Sequence, residues 1–231
     1  MILRDGILLS EVLVDQPLVH GFTTRQWGNL GFGKNPGDPE VIENRKRLFQ
    51  ELSLAARDLI QPKQVHSSRA VSETDFAMGF EADATYGRSP AALHSILTAD
   101  CVPLLAYHPE GIVAAIHAGW RGLLGGVILE TLRMLPPRSI VAIGPAIGPC
   151  CYEVGEEVAS KFEQEFGAGV VNRSGPKPHL DLVHAAILQS AEAGVEECDA
   201  AHLCTACHPD LFYSYRRDGS SGRQMSFIGL K

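Results

Sequence analysis

Residues 95–107 read SILTADCVPLLAY, and residues 111–117 read GIVAAIH. The first stretch holds two β-rich apolar runs on either side of a polar break, Thr98-Ala99-Asp100. The second is one apolar run closed by His117. Short apolar runs bounded by turn residues predict buried strands. Three strands in close succession, with a cysteine at one end and a histidine at another, set the frame for the rest of the chain.

Upstream, residues 7–14 (ILLSEVLV) read as a first strand, which residues 18–23 continue after Pro17. Residues 28–38 hold four glycines and a proline and predict a loop. Asp38 then reads as a helix N-cap and Pro39 as a first-turn residue. Val41, Ile42, Arg45, Leu48, Phe49 and Leu52 follow at helical spacing. Residues 61–66 (QPKQVH) read as a short strand and residues 82–86 as another. Downstream, residues 119–126 are glycine-rich, residues 127–135 read as a helix stopped by Pro136-Pro137, and residues 139–143 read as a buried strand. Residues 144–149 (GPAIGP) form a loop. Residues 153–166 and 180–193 have helical periodicity, with Gly194 where a helix-ending glycine belongs. Residues 211–231 alternate loop and strand.

Strands and helices mix without a regular βαβα repeat, and no low-complexity linker divides the chain. The pattern predicts an α/β (α+β) fold: a single domain over residues 1–231, with a mixed β-sheet flanked by helices. No G-x-G-x-x-G and no Walker A motif supports a nucleotide-binding fold. The chain is 231 residues long and 45% hydrophobic, enough for a sizeable core. Its formal net charge of −7 and lack of a long basic run argue against nucleic acid as a partner. The N-terminus does not read as a signal peptide, because Asp5 and Glu11 interrupt its apolar residues and no small-residue cleavage site follows. No apolar stretch approaches the ~18 residues of a membrane span. These features predict a cytoplasmic protein with no membrane partner. Its six cysteines would allow three disulfides, but a reducing compartment and a core of this size favour free thiols.

Three segments place a reactive residue at the end of an apolar run: QVH at His66, TADC at Cys101 and IHAGW at His117. Two imidazoles and a thiolate suit zinc and leave a fourth position for water or substrate. The same Cys and His types also serve as a thiol nucleophile with its base. Spacing alone leaves open that all three are ordinary interior residues. The glycines around Trp120-Arg121 (Gly119, Gly122, Gly125 and Gly126) tip the balance, since they suit close backbone approach to a ligand or an anion at a helix start.

Other motifs carry less. GPAIGPCCYEV is either a turn fixed by its prolines or a pocket wall that brings Cys150 and Cys151 near the metal. Cys204-Thr-Ala-Cys207-His208 matches a haem-attachment motif and half a zinc ribbon. No export signal supports haem, and Cys198 alone does not supply the second cysteine pair, so packing near the pocket is the expectation. SYRRDGSSGR offers Arg216, Arg217 and Arg223, either on a solvated hairpin or binding a phosphate or carboxylate.

KQVH, LTADCVPLL, HAGWRG, GPAIGPCCYEVG, LDL around Asp181 and FYSYRRDG with SSGR follow one another in this order. Together they resemble the laccase-domain family, also described as the YfiH-type purine nucleoside phosphorylase family, from about residue 25 to residue 228. The resemblance implies zinc on His66, Cys101 and His117, with copper a second choice of metal. It implies a fold similar to that of certain cysteine-hydrolase-like toxins. It also implies phosphorolysis of adenosine, inosine or methylthioadenosine, and deamination of adenosine, so the partners are a nucleoside and phosphate. One branch of the family is linked to an amidase acting on peptidoglycan precursors. Polyphenol oxidation, an older label, fits poorly because the nine histidines include no H-x-H pair. Within this reading Cys101 and His117 sit at the catalytic centre, and Asp100 is a general base or a partner to a ligand histidine. Arg45 is the first choice for phosphate with Arg121 second, and Gly119 lines the ligand site.

Overall fold

In the computed structural model, which describes residues 1–33, 35–219 and 222–231, the Thr98-Ala99-Asp100 break carries the chain from one sheet into another. In chain order the elements are β1 (Ile2–Arg4), β2 (Ile7–Leu9), β3 (Leu18–Thr23), α1 (Pro39–Glu51), β4 (Asp58–Ile60), β5 (Ala70–Ser72) and β6 (Ala84–Gly87). They continue with β7 (Ala92–Thr98), β8 (Val102–His108), β9 (Ile112–Ala118), α2 (Trp120–Leu124), α3 (Val127–Leu132), β10 (Ile140–Ile143) and α4 (Glu156–Phe166). The last are β11 (Val171–Asn172), β12 (His179–Leu180), α5 (Leu182–Glu192), β13 (Glu197–Ala200), α6 (Tyr215–Asp218) and β14 (Gln224–Leu230).

The expected mixed α/β architecture is present, with the strands divided over two six-stranded sheets. The first has the order β1-β2-β3-β14-β7-β4 and the second β13-β10-β8-β9-β6-β5, with β11 and β12 as a separate pair. Each large sheet mixes parallel and antiparallel neighbours: β4 runs parallel to β7, and β5 parallel to β6, while β8 and β9 are antiparallel.

Side-chain alternation along each strand explains the layering. In β8, Leu104 and Ala106 face the helices while Leu105 and Tyr107 face the first sheet. In β14, Met225 and Phe227 point to the α1 side, and Ile228 and Leu230 point between the sheets. Three apolar layers result: α1 on the first sheet, sheet on sheet, and α3, α4 and α5 on the second sheet. The sequence-predicted caps hold. Asp38 accepts the Glu40 amide at 3.0 Å with Pro39 in the first turn of α1, and Gly194 takes a positive φ of 76° after α5.

Several expectations change. Residues 7–14 are not one strand, because the chain turns over residues 11–15 and β3 folds back antiparallel on β2. Residues 61–66 are not a strand; only Lys63 makes a bridge, to Glu81, and His66 adopts a φ of 60°. The glycine-rich segment contains the short helix α2, and Arg216-Arg217 lie on α6 rather than on a hairpin. Ser220 and Ser221 of the expected hairpin, and Lys34 of the expected loop, lie outside the described residues. Among the described residues no helix is long and apolar enough to cross a membrane.

His20, on β3, is buried, and its Nε2 accepts the Ser10 amide at 2.9 Å. Burial pushes its pKa down from 6.5 to about 4. Between those values the unfolded chain binds a proton that the folded chain refuses, so stability falls as pH drops through the window. The expected loss is about 3 kcal/mol at its acidic end. His20→Gln keeps an acceptor for the Ser10 amide and should flatten that slope. Urea denaturation from pH 7 to pH 4 in which variant and wild type run parallel would contradict this.

Candidate metal centre

Strand register brings Cys101 and His117 together. Val102 of β8 pairs with Ala118 of β9, and Pro103 with His117, so Cys101 lies opposite the end of β9. His66 arrives from the turn that follows β4. One ligand atom from each of His66, Cys101 and His117 falls within 4.8 Å of the other two. The two imidazole rings meet edge to face at a centroid distance of 4.8 Å. Burial is graded across the group: His117 is buried, Cys101 partly buried and His66 exposed. The three residues selected from the sequence therefore converge, with their open side at the His66 rim.

Asp83, at the head of β6, organises this group and was not singled out from the sequence. Its Oδ1 accepts the His66 amide at 3.0 Å and faces His117 Nδ1 at 2.7 Å. Its Oδ2 accepts the Ser67 amide at 2.6 Å, the Ser67 hydroxyl at 2.7 Å and the Val65 amide at 3.3 Å. Its backbone carbonyl accepts the His117 amide at 2.7 Å. Three successive amides converging on one carboxylate hold His66 in the left-handed region, a conformation costly for a residue with a Cβ. Burial works against ionisation of Asp83, but hydrogen bonds from His117 and Ser67 outweigh it and hold the carboxyl at about 2.

An ionised carboxylate only accepts, so His117 Nδ1 keeps its proton, and Nε2 is the nitrogen that would give up its proton to offer a lone pair to a metal at the centre. Burial opposes charge on both Cys101 and His117. Their mutual attraction prevails, holding the thiol below its ordinary range and, with Asp83, the imidazole above its own. The donor set of two imidazoles and a ready thiolate matches a zinc site with one open position.

Gly119 is required by this packing. A Cβ there would lie 2.6 Å from His66 Nδ1 and 3.2 Å from Cys101 Sγ. At Gly122 it would lie 3.1 Å from the Ser67 carbonyl oxygen, so the glycines let α2 sit directly on the His66 turn.

Asp100 is not the partner of a ligand histidine; Asp83 holds that place. The Asp100 carboxylate accepts the Thr205 hydroxyl at 2.6 Å and the Arg216 amide at 2.7 Å. With both oxygens engaged, it anchors the turn that presents Cys101. The Arg45 guanidinium donates to the Leu30 carbonyl and to Gln61 Oε1, each at 2.8 Å, and stacks on Phe32. Those contacts tie α1 to the neighbouring loops and touch none of the three converging residues. Arg121 is exposed on α2 and stacks 4.3 Å above the Trp120 ring, and among the described residues its guanidinium donates no hydrogen bond. Tyr152, in the loop after β10, is also close. Burial, then the charge on Cys101, pushes its phenol up to about 12, while Arg216 and Arg121 act in the opposite sense. The charge of Cys101 is thus felt in the GPCCYEV loop. Cys150 and Cys151 group instead with Cys204 and Cys207.

Comparison with known proteins gives the family of the chain. The family model described as multi-copper polyphenol oxidoreductase laccase matches residues 19–231. A protein named purine nucleoside phosphorylase from Deinococcus radiodurans is 40% identical over 229 residues, covering 91% of this chain and 88% of its own. Purine nucleoside phosphorylase YfiH of Escherichia coli is 37% identical over 222 residues, covering 92% and 90%. The crystal structure of YlmD from Geobacillus stearothermophilus superposes with a TM-score of 0.88 at 31% identity, covering 100% of this chain and 98% of that one. The chain belongs to the laccase-type family that this model describes, together with relatives named YfiH-type purine nucleoside phosphorylases.

Proposed function

We propose that this chain is a zinc-dependent cytoplasmic enzyme that splits purine nucleosides with phosphate and also deaminates adenosine. The convergence of His66, Cys101 and His117 behind an exposed rim carries the reading, and the names of its relatives point the same way. Zinc held there would supply Lewis acidity toward a substrate oxygen and lower the pKa of a water molecule. Asp83 keeps the His117 proton on Nδ1 and sets the ring's direction. Gly119 leaves room at the centre. In phosphorolysis a phosphate oxygen attacks the ribose C1′ as the base leaves, so an anion must be held beside the sugar. The uncommitted guanidinium of Arg121 suits that task better than Arg45, whose donors already serve Leu30 and Gln61.

One observation favours a second reading. Cys101, His117 and Asp83 form a thiol–imidazole–carboxylate series, which without metal is the layout of a thiol hydrolase. In that state Cys101 would attack an amide, such as that of a cell-wall precursor. A thiolate shared with a metal is a poor nucleophile, so the two readings exclude each other. The copper chemistry in the family's description calls for a histidine-rich cluster. The described residues gather two histidines and a cysteine at this point.

Adenosine, inosine and methylthioadenosine, each with and without phosphate, should yield free base only with phosphate, and adenosine should yield ammonia without it. Release of an amino acid from a peptidoglycan precursor, with no base or ammonia from nucleosides, would favour the amidase. Asp83→Asn should weaken zinc binding roughly 10- to 100-fold in chelator competition on the folded protein; unchanged affinity would reject its role. Arg121→Ala should raise the phosphate KM by roughly tenfold or more at unchanged zinc content. If Arg45→Ala raises it instead, the phosphate lies on the α1 side.

A further inference from the structure

Four cysteines meet away from the centre described above. Cys150 and Cys151 lie in the loop after β10, and Cys204 and Cys207 in the loop after β13. One sulfur from each lies within 4.8 Å of the other three. Cys207 Sγ is 3.5 Å from Cys150 Sγ and 3.4 Å from Cys151 Sγ. Four thiolates bound to one tetrahedral zinc at about 2.3 Å stand about 3.8 Å apart. The observed spacing therefore suits a single ion with little rearrangement. A disulfide would single out one pair, whereas Cys207 has two neighbours at nearly equal distance. An iron–sulfur cube would spread its thiolates around a larger core.

The backbone is already arranged for such a site. Ala146 and Cys204 form a parallel bridge, and the Thr205 amide donates to the Ala146 carbonyl at 3.0 Å. The Gly148 amide donates to Cys204 Sγ at 3.2 Å, a bond that favours thiolate. Two guanidinium groups of α6 reach these loops. Arg217 Nη1 donates to the Thr205 carbonyl at 2.9 Å and the Ala206 carbonyl at 3.3 Å. Arg216 Nη1 donates to the Glu153 carbonyl at 2.9 Å and the Cys151 carbonyl at 3.4 Å. Four thiolates around a divalent ion carry a net double negative charge; Arg216 brings a guanidinium to the Cys151 carbonyl, while Arg217 is paired with Asp218 at 2.8 Å. Cys204-Thr-Ala-Cys207 thus finds its second cysteine pair in Cys150-Cys151.

We infer that Cys150, Cys151, Cys204 and Cys207 are a second metal site, a closed tetrahedron for one zinc ion that staples the loop after β10 to the loop after β13. Each thiol gives up its proton as its sulfur binds, so one ion displaces four protons. With all four positions filled by protein the site is structural. It steadies Thr205, whose hydroxyl holds Asp100 beside Cys101.

The test is metal stoichiometry on protein purified without oxygen, equilibrated with zinc and desalted. Wild type should carry two zinc ions per chain. The double variant Cys204→Ser/Cys207→Ser should carry one, and His117→Ala should also carry one, which separates this site from the first. A second readout needs no variant. Alkylation mapped by mass spectrometry should find Cys150, Cys151, Cys204 and Cys207 at least roughly tenfold slower to react with zinc than after chelation. Cys198, exposed and outside the cluster, should not change. One zinc per wild-type chain, unchanged in the cysteine double variant, would overturn the inference. So would equal alkylation with and without zinc, or a disulfide joining the two loops.

Discussion

The carboxylate of Asp83 is shared by five donors: three consecutive amides, a hydroxyl and an imidazole. A buried charge is tolerated only when it is this well partnered, and breaking such a set costs about 3–5 kcal/mol. The same group therefore does two jobs. It closes the turn that carries His66 in a strained conformation, and it aims the His117 ring at Cys101. Because Asp83 also takes the His117 amide through its own carbonyl, the turn, β6 and β9 are locked as one unit. The strain at His66 is offset by bonds that exist only once β6 and β9 have paired.

The two sheets explain why the centre lies where it does. The chain passes from β7 in the first sheet to β8 in the second through residues 99–101, and Asp100 takes a positive φ of 97° to make that passage. Asp100 is fixed from the far end of the sequence by Thr205 and the Arg216 amide. Cys101 thus inherits its position from the C-terminal segment, although its nearest partners in sequence belong to β8. Residues 98–101, 145–152 and 204–217 are tied together: the Ile147 amide donates to the Asp100 carbonyl at 2.9 Å, and Ala146 bridges Cys204.

The sequence made the centre legible in part. His66, Cys101 and His117 each end an apolar run, and strand ends present side chains to a common edge. Asp83 obeys the same rule at the head of a buried strand, but one of the two acidic residues in EADATYG resembles any surface carboxylate until its donors are known. The β7–β8–β9 succession followed from short apolar runs and firm turn signals. The strand expected at residues 61–66 failed because β propensity in QVH is local, while the backbone there answers to a carboxylate seventeen residues away in sequence. The strand expected over residues 7–14 failed because β2 and β3 pair with each other, and no count of apolar residues shows where such a ribbon reverses. The partner of Cys204 and Cys207 was hidden for a similar reason: the second pair is adjacent in sequence, far upstream, and joined only by the alignment of two loops.

The central claim is that Asp83 presets two imidazoles and a thiolate for one metal ion. The most direct measurement is a zinc-soaked crystal with anomalous data at the zinc edge. A density peak bonded to His66, Cys101 Sγ and His117 Nε2, with Asp83 still on His117 Nδ1 and one corner not taken by protein, is the expected result. No peak among these residues, or one bound through His117 Nδ1 with Asp83 turned away, would contradict it.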